Sequence, residues 1–179
     1  MMRAAVMKVN PRLLRAQRKG KTEMKGNDKL IKALNGLLAD ELTAINQYVV
    51  HAEMAENWGY RKLKKAVRVR SITEMKHTEK LIERILFLEG APIVGELNKI
   101  HIGADVPQQC ANDLASEMTA VAGYNSAVKL ATEVGDNATR EILEEILKDE
   151  DGHVNEIEEQ LDQIKQMGVQ RFLAIQAGG

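Results

Sequence analysis

The chain repeats itself at an offset of 76 residues, and this repeat restricts the possible folds more than any other feature of the sequence. The segment ADELTAINQY, residues 39–48, aligns with ASEMTAVAGY, residues 115–124, and EMKH, residues 74–77, aligns with EDGH, residues 150–153. Each half therefore reads Glu and, 33 residues later, Glu-x-x-His. Residues three apart share one face of a helix, so each Glu-x-x-His pair points a carboxylate and an imidazole the same way. A single pair is weak evidence for a site, whereas two copies in register indicate one.

Hydrophobic periodicity predicts helix for nearly the whole chain after Asn27. The predicted helices span about residues 27–59, 60–89, 106–134, 137–167 and 169–177. Between the second and third helices, residues 90–109 contain two of the three prolines and no sustained period. Two short connections that flank one long crossover are typical of an all-α, ferritin-like four-helix bundle. We expect a basic extension over residues 1–23, the bundle over residues 24–168, and a short helix and tail over residues 169–179.

Acidic side chains fall on the apolar stripes of all four long helices. Glu41 lies between Leu38 and Ile45, and Glu117 lies between Leu114 and Val121. Burying four carboxylates without partners would be strongly destabilising, because each desolvated charge costs many kcal/mol. Two divalent cations would balance the four negative charges, and carboxylates with one His per metal suit iron or manganese better than structural zinc. The alternative is a set of core salt bridges, for which Arg70 is the main candidate partner.

The six candidate metal ligands, which we also expect to carry catalysis, match the ligand set already known for ferritin-like di-iron bundles. They are Glu41, Glu74, His77, Glu117, Glu150 and His153.

Composition excludes several classes of protein. The chain has one cysteine, Cys110, which rules out an intrachain disulfide framework and paired-cysteine metal sites and favours a reducing, intracellular setting. A net charge of -1 argues against general nucleic-acid binding. No apolar run approaches the roughly 18 residues of a membrane span, so we expect no membrane association. Residues 1–23 carry seven Lys or Arg and one acid, and we assign this segment no chemistry.

Over about residues 24–177 the sequence closely resembles the bacterioferritins. The likeness rests on ADELTAINQY, NWG, EMKHTEKLIERILFLEGAP, the Glu117 helix, ILKDEDGH and QMGVQ. The resemblance implies that Glu74 and Glu150 bridge two irons, that Glu41 and Glu117 are terminal ligands, and that His77 and His153 each bind one iron. Tyr48 is similar to the family's tyrosine near the metals, although its spacing suits a core tyrosine equally well. His51, one turn further, lies near the site or its entrance, or is a surface or supporting histidine.

Met75 occupies the position of the methionine that binds haem in that family, with one methionine from each of two subunits. It lies on a second apolar stripe of its helix, with Val69, Ile72, Ile82 and Leu86. Without the resemblance, Met75 would be read as a filler in an interface between chains. The second repeat has Asp151 at the equivalent position, so one haem shared by two subunits is implied.

The resemblance implies a cytoplasmic iron store with ferroxidase activity, assembled as a cage of 24 subunits. The cofactors would be two irons per chain and an inter-subunit haem, and an electron donor such as a ferredoxin is an expected partner. Three alternatives stay open. A non-haem ferritin would lack the Met75 haem, a rubrerythrin-like di-iron peroxidase would normally carry paired cysteines, and a DNA-protecting miniferritin would build its iron site between subunits.

Overall fold

A computed structural model describes residues 25–178 as five helices, with no strand in that range. They are α1 (Asp28–Asn57), α2 (Arg61–Phe87), α3 (Val106–Glu133), α4 (Asn137–Met167) and α5 (Val169–Ala177). The predicted four-helix bundle with a short fifth helix is confirmed. The basic segment 1–23 lies outside the described residues. Within them, no helix combines the length and the apolar character needed to cross a membrane.

Polar caps and tight turns define the two helical hairpins. The side chain of Asn27 accepts hydrogen bonds from the backbone N–H groups of Lys29 and Leu30 at the start of α1. The side chain of Asp136 does the same for Thr139 at the start of α4. Gly59 and Gly135 have positive φ, which allows each hairpin to turn within three residues. As a result α1 pairs with α2, and α3 pairs with α4.

The crossover between the hairpins runs alongside α1. Backbone N–H groups of Ile93, Asn98, His101 and Gly103 donate to side chains of Asn35, Thr43, Gln47 and His51, in that order. The crossover therefore advances in the direction of α1, over roughly 24 Å of that helix. Because α1 and α2 are antiparallel, this path returns the chain to the start of α2, and α3 runs parallel to α2.

The crossover occupies residues 88–105, so the predicted start of the third helix at about residue 106 is confirmed, and the last four residues of the aperiodic stretch 90–109 belong to α3. Pro107 belongs to the first turn of α3, where its missing N–H would have no intrahelical partner in any case. The side chain of Asp105 caps this turn by accepting from the backbone N–H of Gln108. Gly103 packs so closely on the same turn that a Cβ there would lie 2.3 Å from the backbone nitrogen of Gln109.

In residues 25–178 two larger apolar cores lie on either side of a polar layer, and a small third cluster consists of Ala44, Tyr48, Ala52 and Val67. One core, around Leu34, Leu81 and Ile146, fills the end where α1 begins. The other, around Leu63, Ile157 and Phe172, fills the opposite end, where α5 packs across the bundle through the fully buried Phe172. The four glutamates of the repeat lie between these cores along their helices. The fold therefore encloses an acidic layer between the two larger apolar cores.

Candidate metal centre

The structure brings the six predicted side chains together in the interior of the bundle. They form two overlapping groups, in each of which one potential ligand atom per residue lies within 4.8 Å of the others. All six residues are buried. The first group is Glu41, Glu74, His77 and Glu150, and the second is Glu74, Glu117, Glu150 and His153. Since Glu74 and Glu150 belong to both groups, the geometry fits two neighbouring cations that share two carboxylates.

Each histidine turns its Nδ1 atom toward the acids. Nδ1 of His77 lies 2.9 Å from oxygens of both Glu74 and Glu150, and Nδ1 of His153 lies 3.0 Å from the other oxygen of Glu74. The two imidazole rings stand 6.3 Å apart between centroids. The shared carboxylates therefore lie between two nitrogen ligands, one on each side.

The inward-facing atoms of this cluster lie close to one another but form no hydrogen bond of regular geometry. Among residues 25–178, no hydrogen bond is made by either carboxylate oxygen of Glu74 or Glu150, or by Nδ1 of His77 or His153. Buried polar atoms are almost always satisfied in folded proteins, because leaving one unpaired costs about 1–3 kcal/mol. Six such atoms in one place form a set of ligands that bound metal ions would satisfy. The donor set, oxygen-rich with one imidazole per position, fits iron.

Basic residues do not neutralise the acids. Within the described chain, no Lys or Arg nitrogen lies within 4.0 Å of a carboxylate oxygen of the cluster. Arg70, the candidate salt-bridge partner, faces Asp113 at 3.9 Å and Glu156 at 3.7 Å, and its guanidinium stacks over the ring of Tyr48. The salt-bridge alternative is therefore contradicted by the geometry.

Two tyrosines connect the halves of the repeat reciprocally. The hydroxyl of Tyr48 donates to Glu117, and the hydroxyl of Tyr124 donates to Glu41. Burial raises the pKa of both phenols well above 10, so both groups keep their protons and stay donors. The sequence singled out Tyr48 alone, although the 76-residue repeat aligns it with Tyr124. Each tyrosine fixes the orientation of one outer carboxylate.

The acids and imidazoles shift one another's protonation. Burial raises the pKa of Glu41 and of Glu117. Burial alone would lower the pKa of His77, but close carboxylates, Glu150 first among them, outweigh it and raise the pKa to about 12. Burial would also lower the pKa of His153, but nearby carboxylates, Glu117 first among them, raise it to about 12. Without metal, two protonated imidazoles therefore offset part of the negative charge of the four carboxylates.

His51 lies in a separate buried network. Its side chain is fully buried, so the alternative that His51 is a surface histidine is wrong. Its Nδ1 contacts Asp113 at 2.9 Å, and its Nε2 accepts from the backbone N–H of Gly103. Asp113 also accepts from Gln47. This network, which the sequence did not reveal, ties the crossover to α1 and α3 one turn from Tyr48.

Met75 lies on the outside of the same helix. Its side chain is 46% exposed, and Val69, Ile72 and Leu86 are exposed beside it. These residues belong to the second apolar stripe expected from the sequence, whereas Ile82, the remaining member, is partly buried against the core. A thioether presented on an apolar face that is exposed among the described residues is compatible with a soft neutral metal ligand at a contact between chains.

Comparison with known proteins assigns the family. The model of the ferritin-like domain matches residues 31–167. A bacterioferritin of Rhodobacter capsulatus is 42% identical over 154 residues, which cover 86% of this chain and 96% of the relative. A bacterioferritin of Brucella melitensis is 39% identical over 149 residues, covering 83% of this chain and 92% of the relative. Together with the bundle and its buried acidic layer, these similarities show that the chain belongs to the bacterioferritins, within the ferritin-like family.

Proposed function

We propose that this protein stores iron and oxidises Fe(II) to Fe(III) at the intrachain cluster. The observation that carries the proposal is that two four-residue ligand groups share Glu74 and Glu150 inside one chain. In this assignment Glu74 and Glu150 would contribute ligands to both ions. Glu41 and His77 complete one position, and Glu117 and His153 complete the other.

The side chains have defined tasks in this reaction. The carboxylates supply four negative charges, which compensate two divalent cations and favour the higher charge of Fe(III). The imidazoles bind through Nδ1 once the Nδ1 protons have left. Tyr48 and Tyr124 hold the outer carboxylates in place through their hydroxyl groups. Two Fe(II) ions each give up one electron to an oxidant, and with two protons the electron pair reduces O2 to hydrogen peroxide, or hydrogen peroxide to two molecules of water.

A cavity supplies the route by which ions and oxidant reach the cluster. It has a volume of about 540 Å³ and lies between α1, α3 and the crossover. Glu41, Glu117, Glu74 and Glu150 form its inner wall, and polar side chains such as Asp40 and Asn98 line it toward the crossover. The carboxylate and amide oxygens among its lining residues offer ligands to hydrated Fe(II) along this route.

We infer a shared haem and a cage from the family. Haem, when bound, would supply an electron-transfer centre for the release of stored iron, and Met75 would hold it together with Met75 of a second subunit. A single bundle cannot enclose a mineral, so storage requires assembly, and a cytoplasmic cage of 24 subunits served by an electron donor such as a ferredoxin is the form that the family implies.

Replacing Met75 with Leu should remove the haem absorbance and leave assembly nearly unchanged. Leucine keeps the apolar volume, so the change in stability should stay below about 1.5 kcal/mol, but it offers no ligand atom. Visible spectra of the purified variant measure the effect. The matched control is Met118→Leu. Met118 is also exposed but lies on α3, so this variant should retain haem. A normal haem spectrum in the Met75 variant would show that the ligand lies elsewhere.

The function itself is tested by mixing the metal-free protein with Fe(II) and then with O2 or peroxide. A rapid phase should consume about two Fe(II) per chain, one for each ligand group, followed by slower mineral growth in assembled protein. Stopped-flow absorbance gives the stoichiometry, and size-exclusion chromatography with light scattering gives the mass. No rapid phase in fully assembled protein would contradict the ferroxidase proposal.

A further inference from the structure

The ring nitrogen of His77 that points away from the cluster, Nε2, contacts an acid that is not one of the six candidate ligands. Nε2 of His77 lies 3.1 Å from Oδ2 of Asp149, across the gap between α2 and α4. Nδ1 of His77 faces the acidic cluster. A neutral imidazole can bind a metal through Nδ1 only if its proton is on Nε2. Asp149 accepts a hydrogen bond from that N–H, so it favours the tautomer and the ring orientation that metal binding needs.

The other half of the repeat lacks this contact. Thr73 is the residue that the 76-residue repeat aligns with Asp149, and its hydroxyl donates to the backbone oxygen of Val69 within α2. Over the described part of the chain, Nε2 of His153 has no hydrogen-bond partner. The side chain of His153 is also 11% exposed, against 1% for His77. The two histidines are therefore held unequally, although their ligand groups are alike.

We propose that Asp149 is a positioning residue that makes the two metal positions unequal. It holds His77 ready for binding, so the position formed with Glu41 takes up the first divalent ion more tightly than the position formed with Glu117. The inequality comes from preorganisation, because His153 must still be ordered when its ion binds. This inference rests on the proposed function, since it assigns the cluster to metal ions.

The expected size of the effect follows from the exposure of Asp149. Removing a residue that supports a metal ligand typically costs 10–100-fold in affinity. The side chain of Asp149 is 52% exposed, and water weakens such a contact. We therefore expect a loss of about ten-fold, at the lower end of that range.

The test is an anaerobic titration of the metal-free, assembled protein with Co(II), followed by visible absorption. The unmodified protein should bind two ions in two separable steps. Asp149→Ala should weaken the first step by about ten-fold and leave the second unchanged. Asp149→Asn, which keeps an acceptor oxygen, should recover part of the lost affinity. Asp151→Asn is the charge control, because it removes an exposed acid two residues further along α4 and should leave both steps unchanged.

A reciprocal variant tests the same idea in the other half. Thr73→Asp places a carboxylate at the aligned position and should tighten the second step by about ten-fold. Unchanged titrations for Asp149→Ala, or equal weakening of both steps, would overturn the proposal, and so would an unchanged second step in Thr73→Asp. Failure of the unmodified protein to bind Co(II) would instead contradict the proposed function. Circular dichroism and size exclusion confirm that each variant is folded and assembled.

Discussion

Replacing Glu74 with Ala is expected to slow the rapid phase of Fe(II) oxidation by at least about 100-fold. Loss of a residue that merely supports a ligand costs 10–100-fold in metal affinity or activity, and Glu74 belongs to both ligand groups, so its removal should cost more. The bundle should still fold, because the substitution also removes one of four buried carboxylates that face one another without cations. Stopped-flow absorbance after addition of Fe(II) measures the initial rate.

The matched control is Glu79→Ala. Glu79 lies five residues further along α2 and is exposed, so its loss removes the same charge from the same helix without touching the cluster. The control should keep the initial rate of the unmodified protein. An unchanged initial rate in the Glu74 variant, with the assembly intact, would remove the catalytic assignment of the cluster.

Metal binding is expected to release about two protons per chain at neutral pH. In the metal-free protein the pKa values of His77 and His153 are raised to about 12, so both imidazoles are protonated at pH 7. Nδ1 cannot carry a proton and bind a metal at once, so each bound ion displaces one. The combined affinity for two ions should therefore rise by about 100-fold for each pH unit and fall on acidification. Any proton held by Glu41 or Glu117 adds to this number.

Isothermal titration calorimetry with Zn(II) measures the release without oxidation. The apparent binding enthalpy, recorded in buffers of different ionisation enthalpy, gives the number of protons as a slope. The variant Glu74→Ala provides the comparison, because its weakened positions should release far fewer protons at the same metal concentration. A slope near zero in the unmodified protein would mean that the imidazoles are already neutral or are not ligands.

Local regularity made the helices and the acidic layer predictable. Periodicity places apolar side chains on one face, and Gly59, Gly90 and Gly135 mark the ends of the hairpin helices. The repeat singled out the six side chains that the structure brings together, because equal spacing on equivalent helices puts them at equivalent heights. Their role as metal ligands stays a proposal.

Contacts between distant segments could not be predicted in the same way. Asp113 meets His51, Gln47 and Arg70 only because the crossover folds along α1, and nothing in the aperiodic crossover sequence sets that path. Asp149 reaches His77 across 72 residues of sequence. The burial of His51 was missed for the same reason, since it depends on Gly103 packing over it. Tyr124, in contrast, could have been predicted from the sequence, because the 76-residue repeat aligns it with Tyr48.

The most direct test of the two-metal cluster is an anomalous difference map, recorded at the iron absorption edge from crystals of this protein soaked in Fe(II). Two peaks per chain are expected, both between Glu74 and Glu150, with His77 beside one and His153 beside the other. A map without iron at these positions, or with the four carboxylates paired to Lys or Arg side chains, would contradict the assignment.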